Sequence, residues 1–400
     1  MLKAFLSPIA AIVLLGASTL PASAQPGAAT KDADDMVIPK YEARLGRERP
    51  VIAVVGFNTA TEVTDYVVPY GVLAEAGVAD VVALGTSEGP IQMKPALRFE
   101  AQATIHGFNE RYPDGADYVV VPNVYEGEND PALLEWLRLQ AAKGATIVGI
   151  CDGVPTLANA GLLQGRRATT HWRTIDRLAG KHPGTQWLKN RRYVADGKII
   201  TTSGVSASIP ISMALIEAIA GRAHAEEVGQ RLGVSEWSPT HNSEQFSLTS
   251  RHLLTVLSNK AMFWRHEALG VEVRPEIDEI RVALVADAYG RTRRTEALSV
   301  AASNQPVVTR RGLTLLPDRV TGHSDAPRTL VPGYEHLPPV HALDASLESI
   351  ASSYGKPTAA FVALTMEYAW SNERWTGVST RLDLESARQA VRGGTLGGIK

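Results

Sequence analysis

Cysteine is almost absent from this chain: 400 residues hold one, Cys151. A single cysteine excludes an intrachain disulfide framework, and neither a C-x-x-C pair nor an H-E-x-x-H helix supports a metal site. Neither common glycine-rich phosphate loop is present, and no cofactor is implied. Charge of one sign is lacking as well. The formal balance is −2, which gives no electrostatic reason to expect nucleic acid or an anionic membrane surface as partner. Beyond residue 24 no segment is apolar and long enough to span a bilayer, which takes about 20 residues.

The first residues do have a pattern. Lys3 precedes "FLSPIAAIVLLGASTL", and Ala22, Ser23 and Ala24 supply small residues where a cleavage site belongs. This is the layout of a secretory signal peptide. Cleavage after Ala24 is the expectation, with an exported protein that is periplasmic in a Gram-negative source and off the membrane afterwards. Residues 25–47 are small, polar and charged, and read as a flexible lead-in.

From residue 48 short apolar runs alternate with helical stretches. "VIAVVG", "ADVVALG", "ADYVVVPN", "TIVGI" and "GKIITTSG" read as strands. "DYVVPYGVLAEAG", "PALLEWLRLQAAKGA", "PTLANAGLL" and "ASIPISMALIEAIAG" read as helices. Wholly apolar strands between helices imply a parallel sheet covered on both faces. Residues 48–222 are therefore expected to form a doubly wound α/β domain, a flavodoxin-like three-layer sandwich. Its ligand crevice would lie at the carboxyl ends of the strands, where Asp65, Asn123 and Cys151 all fall.

A polar stretch over 223–250 reads as a linker, and 251–400 as a second, degenerate α/β domain. Two alignments suggest a worn repeat. "VALVA" (282–286) set on "VIAVV" (51–55) places Glu296 against Asp65, and "TLVPG" (329–333) matches "VVVPN" (119–123). No second cysteine follows. "IRVALVADAYG" reads as strand, the basic run "RTRRTEAL" as a solvated face, and His323, His336 and His341 as loop histidines with a possible meeting point at the degenerate site.

Cys151 stands between an apolar strand and a helix, with Gly153 two residues on. This is the order of a nucleophile elbow, which exposes a side chain on a strained turn. The first N–H groups of the helix would favour thiolate and steady an oxyanion. The bland alternative is a buried small residue, since free cysteine is often buried.

"ICDGVPTLANAGLLQGRRATTHW" and "YVADGKIITTSGVSASIPISMALIEAIAG" resemble the ThiJ/PfpI superfamily, of the class I glutamine-amidotransferase-like fold. The resemblance is strongest to the ligand domain of AraC-type (GlxA-like) regulators and to isocyanide hydratases, and covers residues 48–246. It implies Cys151 as nucleophile and Asp65, in "DYVVPYGVL", as a protonated partner. His171 in "ATTHW" is either an acid–base group or a structural one. Backbone N–H groups of Asp152, Gly153 and Asn123 would form the oxyanion site, and Glu62 sits three residues too early for the family's acid. The resemblance also implies a homodimer acting on a small molecule by hydration or hydrolysis, with a non-catalytic ligand-binding or redox-sensing protein as the alternative. Three departures stand out. Asp152 follows the cysteine, Asn123 replaces a glycine pair, and no basic helix-turn-helix follows the linker.

Overall fold

The structure is a computed structural model, and residues 37–370 are described. The expected signal peptide lies outside them. Among the described residues no helix is long and apolar enough to cross a membrane.

The first half carries strands β1 (Val51–Gly56), β2 (Asp80–Gly85), β3 (Pro90–Lys94), β4 (Arg98–Glu100), β5 (Ala103–Thr104), β6 (Tyr118–Val121), β7 (Thr146–Gly149), β8 (Tyr193–Asp196) and β9 (Ile199–Thr202). Its helices are α1 (Val63–Ala76), α2 (Ile105–Arg111), α3 (Pro131–Ala142), α4 (Val154–Asn159), α5 (Ile175–Lys181), α6 (Ser208–Ala220) and α7 (Arg222–Leu232). The second half adds strands β10 (Glu267–Glu272), β11 (Thr295–Ala301), β12 (Val307–Val308), β13 (Thr314–Leu315), β14 (Arg319–Val320) and β15 (Thr329–Leu330). Its helices are α8 (Ser250–Ala261), α9 (Glu279–Gly290), α10 (Ala342–Tyr354) and α11 (Lys356–Thr365).

The main sheet runs β8-β9-β7-β6-β1-β2-β5, parallel except for β8 on β9. All six residues of β1 are buried, because each face of the sheet is roofed by helices. The strand period of two then splits its side chains. Ile52 and Val54 join one core with α1 and α6, and Val51, Ala53 and Val55 join the other with α3 and α4. The doubly wound three-layer sandwich expected from the apolar runs is the architecture observed.

The lead-in is tied down where it is described. Arg44 and Arg47 both reach Asp117 at 2.9 Å, and the Tyr41 N–H donates to the Ala218 carbonyl. Residues 222–232, at the start of the expected linker, form helix α7.

The second half repeats the first in a shortened form. Its sheet, β14-β11-β10-β15, is all parallel and follows the order of β5-β2-β1-β6. The hairpins β3-β4 and β12-β13 meet through an antiparallel β4·β13 pair, Phe99 opposite Leu315 and Glu100 opposite Thr314. The helix pairs α6-α7 and α10-α11 each turn on a glycine of nearly equal φ, +87° at Gly221 and +89° at Gly355. Residues 122–207 of the first half, which hold the elbow, correspond only to residues 331–341 of the second.

This corrects one repeat alignment and keeps the other. "VALVA" is not strand: it lies in α9, where every residue from Glu279 to Tyr289 is buried. The strand equivalent to β1 is β10, starting at 267 against 51, an offset of 216 residues. Glu296 therefore does not correspond to Asp65, and it is exposed. The "TLVPG" match survives as β15 against β6. Helices α1 and α9 pack against each other. Thr64 Oγ1 donates to Asp287 Oδ2 at 2.7 Å. At the related point a Cβ on Gly71 would lie 2.6 Å from Ile280 Cγ1, so only glycine admits this approach.

Candidate active site at the Cys151 elbow

Strand β7 delivers the chain to Cys151, whose φ is +54°. A non-glycine residue in the left-handed region carries strain and persists only where its surroundings hold it. Here the Cys151 N–H donates to Thr202 Oγ1 at 3.2 Å, and its carbonyl accepts from Thr170 Oγ1 at 2.9 Å. Gly153 is required for a different reason: a Cβ there would sit 2.2 Å from the Val121 carbonyl oxygen. The elbow expected from the sequence is present, although the helix that follows, α4, has only 6 residues.

The three backbone donors expected around the sulfur divide. The Asp152 N–H is the backbone donor that favours charge on the Cys151 sulfur. The Gly153 N–H is spent on the Ile150 carbonyl at 2.7 Å, and the Asn123 N–H on Asp65 Oδ2 at 3.3 Å. Gly153 and Asn123 are therefore corrected from oxyanion donors to structural roles, Asn123 as a ligand of the acid.

Asp65, on the first turn of α1, is fully buried. Burial pushes its carboxyl well above the usual range, the Asn123 N–H and Arg291 oppose, and Asp287 and Asp152 push further up. Ser208 Oγ lies 3.4 Å from Asp65 Oδ1 and 2.7 Å from the Val205 carbonyl. Burial thus favours the neutral form of this carboxyl, against the Asn123 donor.

The thiol differs from expectation. Burial pushes Cys151 well above the ordinary thiol range, and Asp65, Asp152 and Glu62 act in the same direction. Only the Asp152 N–H opposes them. The sulfur's residue is 3% exposed. The low-pKa thiolate expected from the helix end is thus replaced by a resting thiol. Asp152 keeps its side chain near the sulfur, with Oδ1 buried and without a hydrogen-bond partner among the described residues.

His171 is buried, and burial holds its imidazole below the usual value while Asp152 and Glu367 push it up. Its Nδ1 accepts the Arg173 N–H at 3.3 Å, which puts the ring proton on Nε2. No hydrogen bond joins it to Cys151 among the described residues. The structure groups His171 with Asp152 and Glu367 rather than with the sulfur.

Four groups at the site were not found from the sequence. Glu62 is buried. Its Oε1 accepts from Arg291 Nη2 at 2.7 Å, and its Oε2 from the Tyr125 hydroxyl at 2.5 Å. It acts on Cys151 electrostatically, so the acid set aside for its position does belong to the site. Burial raises its carboxyl well above the usual range, and Arg291 opposes. Arg291 Nε also reaches Asp287 Oδ1 at 2.5 Å. Burial pulls this guanidinium down, but Asp287 and Glu62 hold it well above its ordinary value. The "RTRR" run is thus corrected at its first residue, which is a buried ion-pair centre. Glu367, at φ +53°, accepts from His241 Nε2 at 2.8 Å, the Gly204 N–H at 2.7 Å and the Trp172 N–H at 3.2 Å. It clamps the segments that carry His171 and β9. Arg291, Asp287 and Glu367 all come from the second half.

The loop histidines do not form a cluster. His341 Nε2 pairs with the Gly233 carbonyl at 3.1 Å, while His323 and His336 are exposed. No group of three or more metal-ligating side chains occurs among the described residues.

Residues 51–218 match the DJ-1/PfpI family. Over 122 residues the chain is 34% identical to the HTH-type transcriptional regulator CdhR of Pseudomonas aeruginosa, covering 30% of this chain and 36% of that one. Over 163 residues it is 32% identical to isonitrile hydratase of Pseudomonas putida, covering 40% and 64%. The chain thus spans about a third of the first relative and just under two thirds of the second. It is 26% identical over 181 residues to the Parkinson disease protein 7 homolog of Danio rerio, covering 44% and 93%. Among solved structures, Drosophila melanogaster DJ-1beta aligns over 47% of this chain and 100% of its own, at 22% identity and a TM-score of 0.43.

Proposed function

Taking residues 51–218 as a DJ-1/PfpI family domain, we propose that the protein is a cofactor-independent hydratase or hydrolase of a small electrophilic molecule, with Cys151 as nucleophile and Asp65 as proton carrier. The observation that carries this reading is the pairing of a strained, buried thiol with a fully buried carboxyl that accepts from the Asn123 N–H and lies 3.4 Å from Ser208 Oγ. A resting thiol suits a reaction in which sulfur and proton are both delivered to the substrate. With an isocyanide, the sulfur bonds to the terminal carbon, and the thiol proton, relayed through Asp65, ends on the same carbon. Water then adds to that carbon, the C–S bond breaks, the thiol regains its proton, and a formamide leaves. With phenylglyoxal the sulfur bonds to the aldehyde carbon and the thiol proton ends on its oxygen; the hydrogen on that carbon then moves as a proton to the neighbouring ketone carbon, giving a thioester that water hydrolyses to the hydroxy acid as the thiol regains its proton. The Asp152 N–H, which favours charge on the sulfur, is the donor assigned to this chemistry.

The similarity to isonitrile hydratase supports the isocyanide arm. The second reading, ligand binding without turnover, is favoured by the closure of the elbow, since a sulfur in a 3% exposed residue needs an opening motion before it reacts. Oxidation sensing is the weaker form of that reading, because oxidation follows thiolate character and exposure, and both are low here. Export to the periplasm and a homodimer complete the proposal. Cell fractionation should recover the chain without residues 1–24, and light scattering should give about twice the monomer mass.

The test is turnover of cyclohexyl isocyanide and phenylglyoxal by the purified protein. We expect formamide or hydroxy-acid product from wild type and none from Cys151→Ala. Asp65→Asn should lose on the order of 10²–10⁴-fold, the usual contribution of a positioned proton carrier. Saturable binding without product would select the ligand-binding reading.

A further inference from the structure

A cavity of about 550 Å³, whose lining does not include Cys151, opens between the two halves. Its volume is that of a small-molecule site, and the seam between packed units is where such sites concentrate. Ile209 of α6, Leu284 of α9 and Val340 before α10 line it with apolar surface. Arg192, just before β8, lines it too, and makes no side-chain hydrogen bond or ion pair among the described residues. Burial pulls its guanidinium down, while Glu367 and the neighbouring tyrosines favour its charge. Glu367 does not cap it, because both carboxylate oxygens are spent on His241, Gly204 and Trp172. Of the two acids on the cavity, Glu236 is exposed and Asp344 accepts from the Tyr368 hydroxyl at 2.8 Å.

Arg192 is half-buried and its guanidinium faces the cavity without a protein acceptor among the described residues, and a guanidinium is shaped to take a carboxylate with two parallel hydrogen bonds. We propose that this cavity is a second binding site, for a small monocarboxylate with an apolar body. The carboxylate sits on Arg192 and the body lies against Ile209, Leu284 and Val340. The site is separate from the elbow, yet it shares walls with it. Thr64 lines the cavity and precedes Asp65, and Ser206 lines it and donates to the Glu367 carbonyl at 2.7 Å.

The probe is 4-phenylbutyrate, titrated by calorimetry into the full chain, with 4-phenylbutyramide as its neutral counterpart. Wild type and Cys151→Ala are expected to bind the acid at one site with equal affinity, which separates this cavity from the elbow. The amide, and the acid on Arg192→Met, should bind on the order of tenfold more weakly or worse, the loss of a charge-assisted hydrogen bond. Val340→Trp, which fills the cavity and leaves Arg192 in place, should abolish binding. If Arg192→Met fails to fold by circular dichroism, Arg192→Lys and Val340→Trp still decide. Absence of saturable binding to wild type, equal binding of acid and amide, or undiminished binding by folded Arg192→Met or Val340→Trp would overturn the proposal.

Discussion

The two halves of this chain share a β-α-β core, a crossing hairpin and a closing pair of helices, but they differ in what stands between them. The first half keeps residues 122–207, with the elbow, the threonines that hold it and His171. The second reduces that interval to residues 331–341. With an offset of 216 residues, Glu62 corresponds to Asp278 and Asp65 to Arg281. Around Asp278 the second half places Arg311, at 3.1 Å from Asp278, 3.0 Å from Glu279 and 2.8 Å from Glu75. The position of Glu62 thus holds Asp278 in an ion-pair cluster, and the position of Asp65 holds Arg281, which donates to the Leu337 carbonyl, so the second half keeps no acid of the Asp65 kind. The difference shows that the fold's core does not depend on the elbow, and that a copy without chemistry of its own can still complete its neighbour's site. Arg291, Asp287 and Glu367 are that contribution.

The largest expected effect comes from breaking the link between the halves. Arg291→Met leaves Glu62 and Asp287 buried without their cation, and removing one partner of a buried pair costs about 3–5 kcal/mol. Urea denaturation should show this loss, and the same substitution together with Glu62→Gln and Asp287→Asn should recover most of it. Next is the helix crossing. Gly71→Val must push α1 off Ile280 and should cost about 1–3 kcal/mol, as overpacking does. Ile280→Val in the same chain should return part of that loss by the same assay.

A smaller effect follows from Asp65. Its carboxyl is raised in the folded state, so the protonated form is the one folding favours. That stability is fully present below the ordinary carboxyl pKa of about 3.9 and is lost as pH rises through the folded value. Asp65→Asn cannot lose a proton. Its stability relative to wild type should therefore climb between about pH 4 and 8, by on the order of 1 kcal/mol for each unit of raised pKa. A flat difference across that range would mean that Asp65 is ionised in the fold. The smallest effect belongs to Glu296, which resembles Asp65 in sequence but not in place. Glu296→Gln should change stability by less than about 0.5 kcal/mol, as exposed substitutions do, and should leave turnover unchanged.

Much of this was legible in the sequence. The parallel sheet follows from apolar runs that must be covered on both faces, Cys151 and Gly153 from the strand–turn–helix order, and Asp65 as the partner acid from the family resemblance. What was not legible depends on partners far along the chain. Arg291 reads as one of several surface charges until Glu62, 229 positions earlier, is seen to be its ligand. Helix α9 reads as strand because a short run that is buried all round shows no helical period. Glu62 was set aside on register alone, while its burial and its bond to Tyr125 come from tertiary packing. The direction of the thiol's shift was misjudged for a related reason. The donor and the carboxyl of Asp152 are local and visible in sequence, whereas the burial and the approach of Asp65 and Glu62 come from tertiary packing.

The central claim is that Cys151 rests as a thiol beside a protonated Asp65, in a site closed by the second half. Thiolate ultraviolet absorbance, followed against pH with Cys151→Ala as blank, tests it directly. The account predicts a midpoint above the ordinary thiol value of about 8.5, moving down in Asp65→Asn, where the acid can no longer charge and repel the thiolate. A midpoint at or below the ordinary value in wild type, or one unmoved by Asp65→Asn, would contradict it.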